Sequence, residues 1–153
     1  MRLVRPLTVG EIALVSSVFG ASIDNARVRI IRGRWWPLQP KGIVMAPTGN
    51  IHFHPADPRW SDDYADESLS LQGLLIHEMT HVWQSQKRGK YYLPLMRHPF
   101  CRYGYQLQQG RSFDRYGLEQ QAEIVRHRFL ADRGVTVPQI CDRSLLPFEQ
   151  LVT

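Results

Sequence analysis

The spacing of apolar residues changes along the chain, and each change marks an element. Leu7-Thr8-Val9-Gly10-Glu11-Ile12 reads as a helix start. Thr8 is the N-cap, Glu11 closes a capping box, and Leu7 and Ile12 suit a hydrophobic staple. That helix runs to about Phe19, ends at Gly20, and has packing as its expected job. Residues 26–32 alternate, with Val28 and Ile30 on one side and Arg27 and Arg29 on the other. This predicts a half-buried strand, ended by Trp35-Trp36-Pro37. Segments 42–46 and 50–54 flank Pro47-Thr48-Gly49 and predict a β-hairpin. Leu71, Leu75, Met79 and Val82 recur at helical spacing, in a helix over 66–88. Leu118, Ala122, Val125 and Phe129 form a second stripe, in a helix over 114–132. Residues 91–105, between the two, are aromatic without a period and predict an irregular packed segment. A short helix near 145–151 is expected after Gly134.

Size and composition narrow the class. The chain has 153 residues, 43% of them hydrophobic, which suits a single domain over 1–153 with a real core. Charged residues make up 22%, which excludes a disordered composition. The net charge is +5, but the arginines are scattered and no nucleic-acid motif accompanies them. A basic surface is expected, with no nucleic-acid partner. Cys101 and Cys141 are too few for a disulfide scaffold and lack a CxxC spacing. They predict two reduced core thiols, with a single disulfide as the alternative in an oxidising compartment. No apolar run reaches the length of a membrane span, so no membrane partner is expected. Met1 to Pro6 does not resemble a signal peptide. The expected location is cytoplasmic, with export by a route that reads no N-terminal signal left open.

The chemistry lies in His77-Glu78-Met79-Thr80-His81. Residues four apart on a helix sit about 40° apart and one turn along, so both imidazoles can reach one metal ion. Taking Leu75 as the origin, Met79 and Val82 fall within about 40°, while His77 and His81 fall at about 200–240°. The histidines therefore share the face opposite the apolar stripe. Glu78 stands beside them, placed to act as general base toward a metal-acidified water. Asp66, Glu67 and Ser68 suit the N-terminus of this helix, and Lys87, Arg88 and Gly89 its C-terminus. The alternative for the acidic run from Asp62 to Glu67, a second metal site, is not needed to explain it.

A catalytic zinc usually takes three protein ligands and leaves one position for water. The second helix offers Glu119, Glu123 and His127, four apart on one ridge. Measured from the apolar stripe, they lie at about 90°, 130° and 170°. Glu119 is nearest the packed interface, where a carboxylate needs a partner. It is the expected third ligand, with Glu123 one turn on, placed to accept a hydrogen bond from a ligand imidazole. Glu123 as the ligand instead, or both as surface carboxylates beside Arg115 and Arg126, are the alternatives. His52 and His54 share one face of a predicted strand and read as polar residues on an open sheet face. His98, Tyr103 and Tyr105 are candidate donors to a reacting oxyanion.

The pair HEMTH and EQQAE resembles the gluzincin plan of zinc metallopeptidases, HExxH followed on a later helix by ExxxD or ExxAD. The resemblance implies Zn2+ at His77, His81 and Glu119, Glu78 as general base and Glu123 supporting a ligand histidine. At 123 this chain has Glu where the family pattern has Asp, one methylene longer. Most of the chain also resembles small bacterial proteins called Vgr-related, which carry HEMTHVWQ and YGLEQQAEIVRH, here 77–84 and 116–127. That likeness implies contractile secretion-system components as partners.

The expected fold is therefore α+β: a single small zincin-like domain with a short antiparallel sheet. Its parts are an N-terminal helix plus sheet over 1–60, the HExxH helix over 66–88 and the second ligand helix over 114–132. The expected function is a zinc-dependent hydrolase, foremost a peptidase acting on a peptide or protein substrate. The alternatives are a secretion-associated binding module with a structural or idle zinc site, and an amidase acting on a cell-wall fragment.

Overall fold

A computed structural model describes residues 2–96 and 101–147. Two long helices and a three-stranded sheet share one hydrophobic core. The order of elements is β1 (Leu3–Pro6), α1 (Val9–Phe19), β2 (Arg29–Arg32), β3 (Ile51–Phe53), α2 (Leu69–Arg88), α3 (Tyr92–Met96) and α4 (Leu118–Asp132). The core joins Phe19 of α1, Ile30 and Ile51 of the sheet, Leu75, Ile76 and Met79 of α2, and Ile124 and Phe129 of α4.

The α+β class holds, but the sheet is mixed. β1 and β2 pair antiparallel, from Leu3 opposite Arg32 to Pro6 opposite Arg29. β2 and β3 run parallel, with Ile30 opposite Ile51 and Arg32 opposite Phe53. The expected hairpin is reduced to one antiparallel bridge, Met45 with His52. Its second arm is instead the parallel partner of β2. This makes β2 the central strand and explains why Ile31 is buried as well as Ile30. Alternation weakens when both faces of a strand are covered. β2 is also shorter than the expected 26–32, because Asn25–Arg27 close a 3-10 turn.

α1 starts at its capping box. The Thr8 hydroxyl accepts from Glu11 N at 3.0 Å, and Glu11 Oε2 accepts from Thr8 N at 2.8 Å. Leu7 is buried but Ile12 is exposed. Glu11 does more than cap. It has no exposed surface. Arg5 of β1 holds it with two bonds of 2.8 and 2.9 Å, and Tyr64 N donates to it at 2.9 Å. One buried carboxylate thus ties β1, α1 and the 3-10 turn Tyr64–Asp66 together.

α2 is capped by Ser68 and begins at Leu69, three residues later than expected, because Asp66 and Glu67 belong to and follow that turn. It ends at Gly89, whose φ of 100° suits glycine and whose N–H returns to Ser85 O at 2.8 Å. α4 likewise starts late. Phe113–Arg115 form a separate 3-10 turn, and extended Gly117 is the N-cap. The buried ring of Tyr116 anchors the break. The irregular stretch over 91–105 contains the short α3. His98 and most of the expected helix at 145–151 fall outside the described residues, and 143–145 form a 3-10 turn. Neither cysteine is a core thiol: Cys101 is half-buried and Cys141 exposed.

Removing one partner from a buried ion pair leaves an uncompensated charge. Glu11→Ala should therefore lower unfolding stability by about 3–5 kcal/mol in urea titrations. A loss below ~1 kcal/mol would show that the Arg5–Glu11 pair is not a structural hub. His52 gives a pH prediction. It is 4% exposed, and its Nδ1 meets no hydrogen-bond partner among the described residues. Burial, aided by the charge of Arg2, lowers its pKa from 6.5 to about 4. The unfolded chain then binds a proton that the native state refuses. The contribution of His52 is whole above pH 6.5 and is lost as pH falls toward 4, up to about 3 kcal/mol. Denaturation midpoints between pH 7 and 4 should show the decline, and His52→Gln should flatten it.

Candidate metal centre

α2 and α4 pack on each other along most of their lengths. Gly73 lets them approach: a Cβ there would lie 3.3 Å from Leu130 Cδ2 and 3.4 Å from Arg126 Cγ. The approach brings three donors together across the interface. Glu119 Oε2 lies 3.3 Å from His77 Nε2 and 3.1 Å from His81 Nε2. The donor atoms of the three residues all fall within 4.8 Å of one another, and all three residues are buried. Among the described residues this is the group of His, Cys, Asp or Glu side chains able to hold a metal ion.

The hydrogen bonds around His81 decide which nitrogen faces the cluster. Gln121 Nε2 donates to Tyr116 O at 2.9 Å, so Gln121 Oε1 is an acceptor. Gln84 Nε2 donates to that oxygen at 2.9 Å and to Leu118 O at 3.1 Å. Gln84 Oε1 must then accept, and it lies 2.8 Å from His81 Nδ1. His81 Nδ1 therefore donates to Gln84 Oε1, and Nε2 is the nitrogen that faces Glu119. Two acceptors at 3.1 Å repel unless a proton or a cation lies between them. A tetrahedral ion with bonds of about 2.0–2.1 Å spaces its ligand atoms by about 3.3 Å, close to both measured separations. Geometry and donor chemistry both fit a divalent metal.

The His77 side is charged rather than amide-lined. Glu123 Oε2 is 3.8 Å from His77 Nδ1, an ionic contact beyond hydrogen-bond length. Arg126 Nε donates to the same oxygen at 2.6 Å. Burial opposes charge on His77, but the Glu119 and Glu123 carboxylates and nearby Glu78 outweigh it and raise its pKa to about 9. Burial also opposes the charge on Glu123, and His77 and Arg126 overcome it, lowering its pKa to about 2. His127 is half-buried, bonded to Tyr105 OH at 2.7 Å and to Arg126 at 3.2 Å.

The donors open on a cavity of about 410 Å3 that is also lined by Glu78, Tyr103 and Arg59. Its walls include Leu71 and Leu74 of α2 and the chain from Gly42 to Val44. Tyr103 stacks on the His77 ring, with centroids 6.3 Å apart and planes 14° from parallel. Arg59 is gripped by Asp57 through bonds of 3.0 and 2.7 Å and donates to Gly42 O. Its charge acts on Glu78.

Of the expected site residues, His77, Glu78, His81 and Glu119 come together, with Glu123 at the edge. Tyr103 joins them, while Tyr105 is engaged by His127. His52 and His54 stand apart: His54 binds Arg34 and the Ala56 N–H. The acidic run serves as caps and braces, Asp63 for Ala65 N and Glu67 for Ser61. Gln84 and Arg59 went unassigned in the sequence. Gln84 could have been found there, since it lies three residues after His81 on the same helix face.

The fold and site define a small α+β domain with a two-helix His-His-Glu donor set facing a cavity. No protein-family model matches the chain. Over 133 residues, 82% of its length, it is 44% identical to the type VI secretion system spike protein VgrG2b of Pseudomonas aeruginosa. That match spans only 13% of the spike protein's length. The solved effector domain of Pseudomonas aeruginosa VgrG2b matches with a TM-score of 0.75 and 41% identity, covering 85% of this chain and 75% of that one. The chain belongs to the family of the VgrG2b effector domain.

Outer hydrogen bonds to a ligand imidazole are typically worth about 10–100-fold in metal affinity. Gln84→Met keeps the length of the side chain but removes the acceptor for His81 Nδ1. It should weaken zinc binding by about that factor in chelator competition. Unchanged affinity would show that the amide chain does not set the state of His81.

Proposed function

We propose that this domain is a zinc-dependent hydrolase of a type VI secretion effector, cleaving peptide bonds in a peptide or protein substrate. The secretion context is supported by the similarity to VgrG2b. The hydrolytic reading is carried by one observation: the three convergent donors face a cavity whose lining also includes Glu78.

In this reading His77, His81 and Glu119 hold the ion. Two imidazoles and a carboxylate are a donor set that suits zinc. Bound there, zinc would acidify a water and polarise the scissile carbonyl. Glu78 accepts the water's proton and returns it to the leaving amine nitrogen. The cationic Arg59 lines the same cavity as Glu78 and interacts with it electrostatically. Tyr103, the tyrosine that lines the cavity, is the candidate donor to the reacting oxygen. Glu123 balances the charge of His77 and is itself held by Arg126. The HEMTH and EQQAE pair of the gluzincin plan supports the same assignment. An amidase on a cell-wall fragment would use the same residues with other pocket contacts. A structural or idle metal site is the competing reading, and a cavity opening on the donors argues against it.

Glu78→Gln should keep one zinc per chain by elemental analysis. It should slow cleavage of a peptide and muropeptide library by about 10²–10⁴-fold, read by mass spectrometry. Cleavage by this variant at the wild-type rate would exclude Glu78 as general base. A zinc-loaded wild type that cleaves nothing in the library would instead favour the idle-site reading.

A further inference from the structure

From Asn25 to Ala56 the sequence contains no aspartate or glutamate, yet it holds Arg27, Arg29, Arg32, Arg34 and Lys41. The middle of this stretch faces water. Residues 34–38 and 40–43 are all exposed. Trp35, Trp36, Leu38 and Ile43 show 40%, 41%, 73% and 46% of their surfaces. Scattered exposed apolar residues need no explanation, but four on one short loop do.

The loop is braced from inside. Gln39 is buried, its Oε1 accepts from Trp35 N at 2.8 Å, and its Nε2 donates to Ile43 O at 2.8 Å and His52 O at 3.0 Å. The amide pins both shoulders of the loop and leaves the indoles and Leu38 outside. Arg2 and Arg34 line the groove beside the two indoles. Between Arg32 and Met45, Gln39 is the one uncharged side chain that carries an amide or hydroxyl, and it is turned inward. A protein interface surrounds its apolar centre with a hydrogen-bonding rim. This loop offers apolar tips, two indole N–H groups and cations, all donors, with no exposed side chain between Arg32 and Met45 that accepts a hydrogen bond. Indoles favour the level of lipid headgroups, and lysine and arginine favour an anionic leaflet.

We propose that residues 34–43 dock the domain on an anionic phospholipid surface. Trp35, Trp36 and Leu38 enter the headgroup boundary, and Arg34 and Lys41 meet lipid phosphates. The sequence, lacking a span, predicts no membrane partner, but surface docking needs no span. Gly42 and Ile43 also line the metal-site cavity. Docking would therefore hold the cavity mouth beside the bilayer. That corollary rests on the hydrolase reading; the docking itself does not.

The test is flotation of the full chain with vesicles of phosphatidylcholine alone, or with about a third phosphatidylglycerol. Binding to the anionic vesicles alone, weakened by salt, is expected. A Trp35→Ala, Trp36→Ala, Leu38→Ala variant should partition at least about tenfold less. Arg34→Glu with Lys41→Glu should lose about fivefold or more per charge at low salt. Zinc content should not change, since none of these side chains lines the metal-site cavity. No flotation at low salt would overturn the proposal. So would equal flotation of the wild type and the apolar variant, which would reduce binding to bulk positive charge. A wild type that self-associates in sedimentation without binding vesicles, and an apolar variant that does not self-associate, would assign the loop to a protein interface instead.

Discussion

A single carboxylate oxygen, Glu119 Oε2, stands 3.3 Å from His77 Nε2 and 3.1 Å from His81 Nε2 in the seam between α2 and α4. Burying a carboxylate in such a seam is costly unless a positive charge or donors meet it. The arrangement of both helices follows from that requirement. Their apolar stripes drive them together, and Gly73 removes the side chain that would hold them apart. The polar ridge of α4 then meets the histidine face of α2 at the rim of the core. A donor set spread over two helices is rigid only if their packing is rigid. The core around Leu75, Met79, Ile124 and Val125 is therefore part of the site.

Two unlike networks support the pair of histidines. On the His81 side, amides of Gln84 and Gln121 relay to backbone carbonyls, and every amide group has a defined role. Fully satisfied buried networks of this kind fix a geometry. On the His77 side, Glu123, Arg126, His127 and Tyr105 form a chain of charged and neutral groups. One network orients an imidazole and the other balances charge. The asymmetry follows from burial, since the amide chain runs inside the helix interface while Arg126 lies at its edge.

The helical parts were legible because their period is local. The stripes at 71, 75, 79 and 82 and at 118, 122, 125 and 129 pointed to α2 and α4. The angle of Glu119 from its stripe predicted the burial that the structure shows. The sheet was less legible, because strand pairing is decided by distant residues. β1 has no period of its own, since Leu3 and Val4 are both exposed. The parallel β2–β3 pairing joins segments some 20 residues apart with no local signal. Helix starts were misplaced where 3-10 turns intervene, at 64–66 and 113–115, because a turn carries the same capping residues as a helix. Glu11 looked like an ordinary cap, and its burial became visible only with Arg5 in place across the β1–α1 junction. Gln84 was missed for a related reason: an amide has neither the charge nor the periodicity that marks a ligand.

The loop that carries the exposed indoles and the wall of the cavity are the same piece of chain. Gln39 fixes its base, Arg59 holds Gly42 O, and the Met45–His52 bridge closes it on β3. Whatever contacts Trp35 and Trp36 therefore presses on a segment tied to Arg59, whose charge acts on Glu78. The tie is short and polar, with no flexible linker between surface and site. The cavity is thus walled by the end of this loop, Gly42 and Ile43, together with Arg59 and residues of α2 and α4.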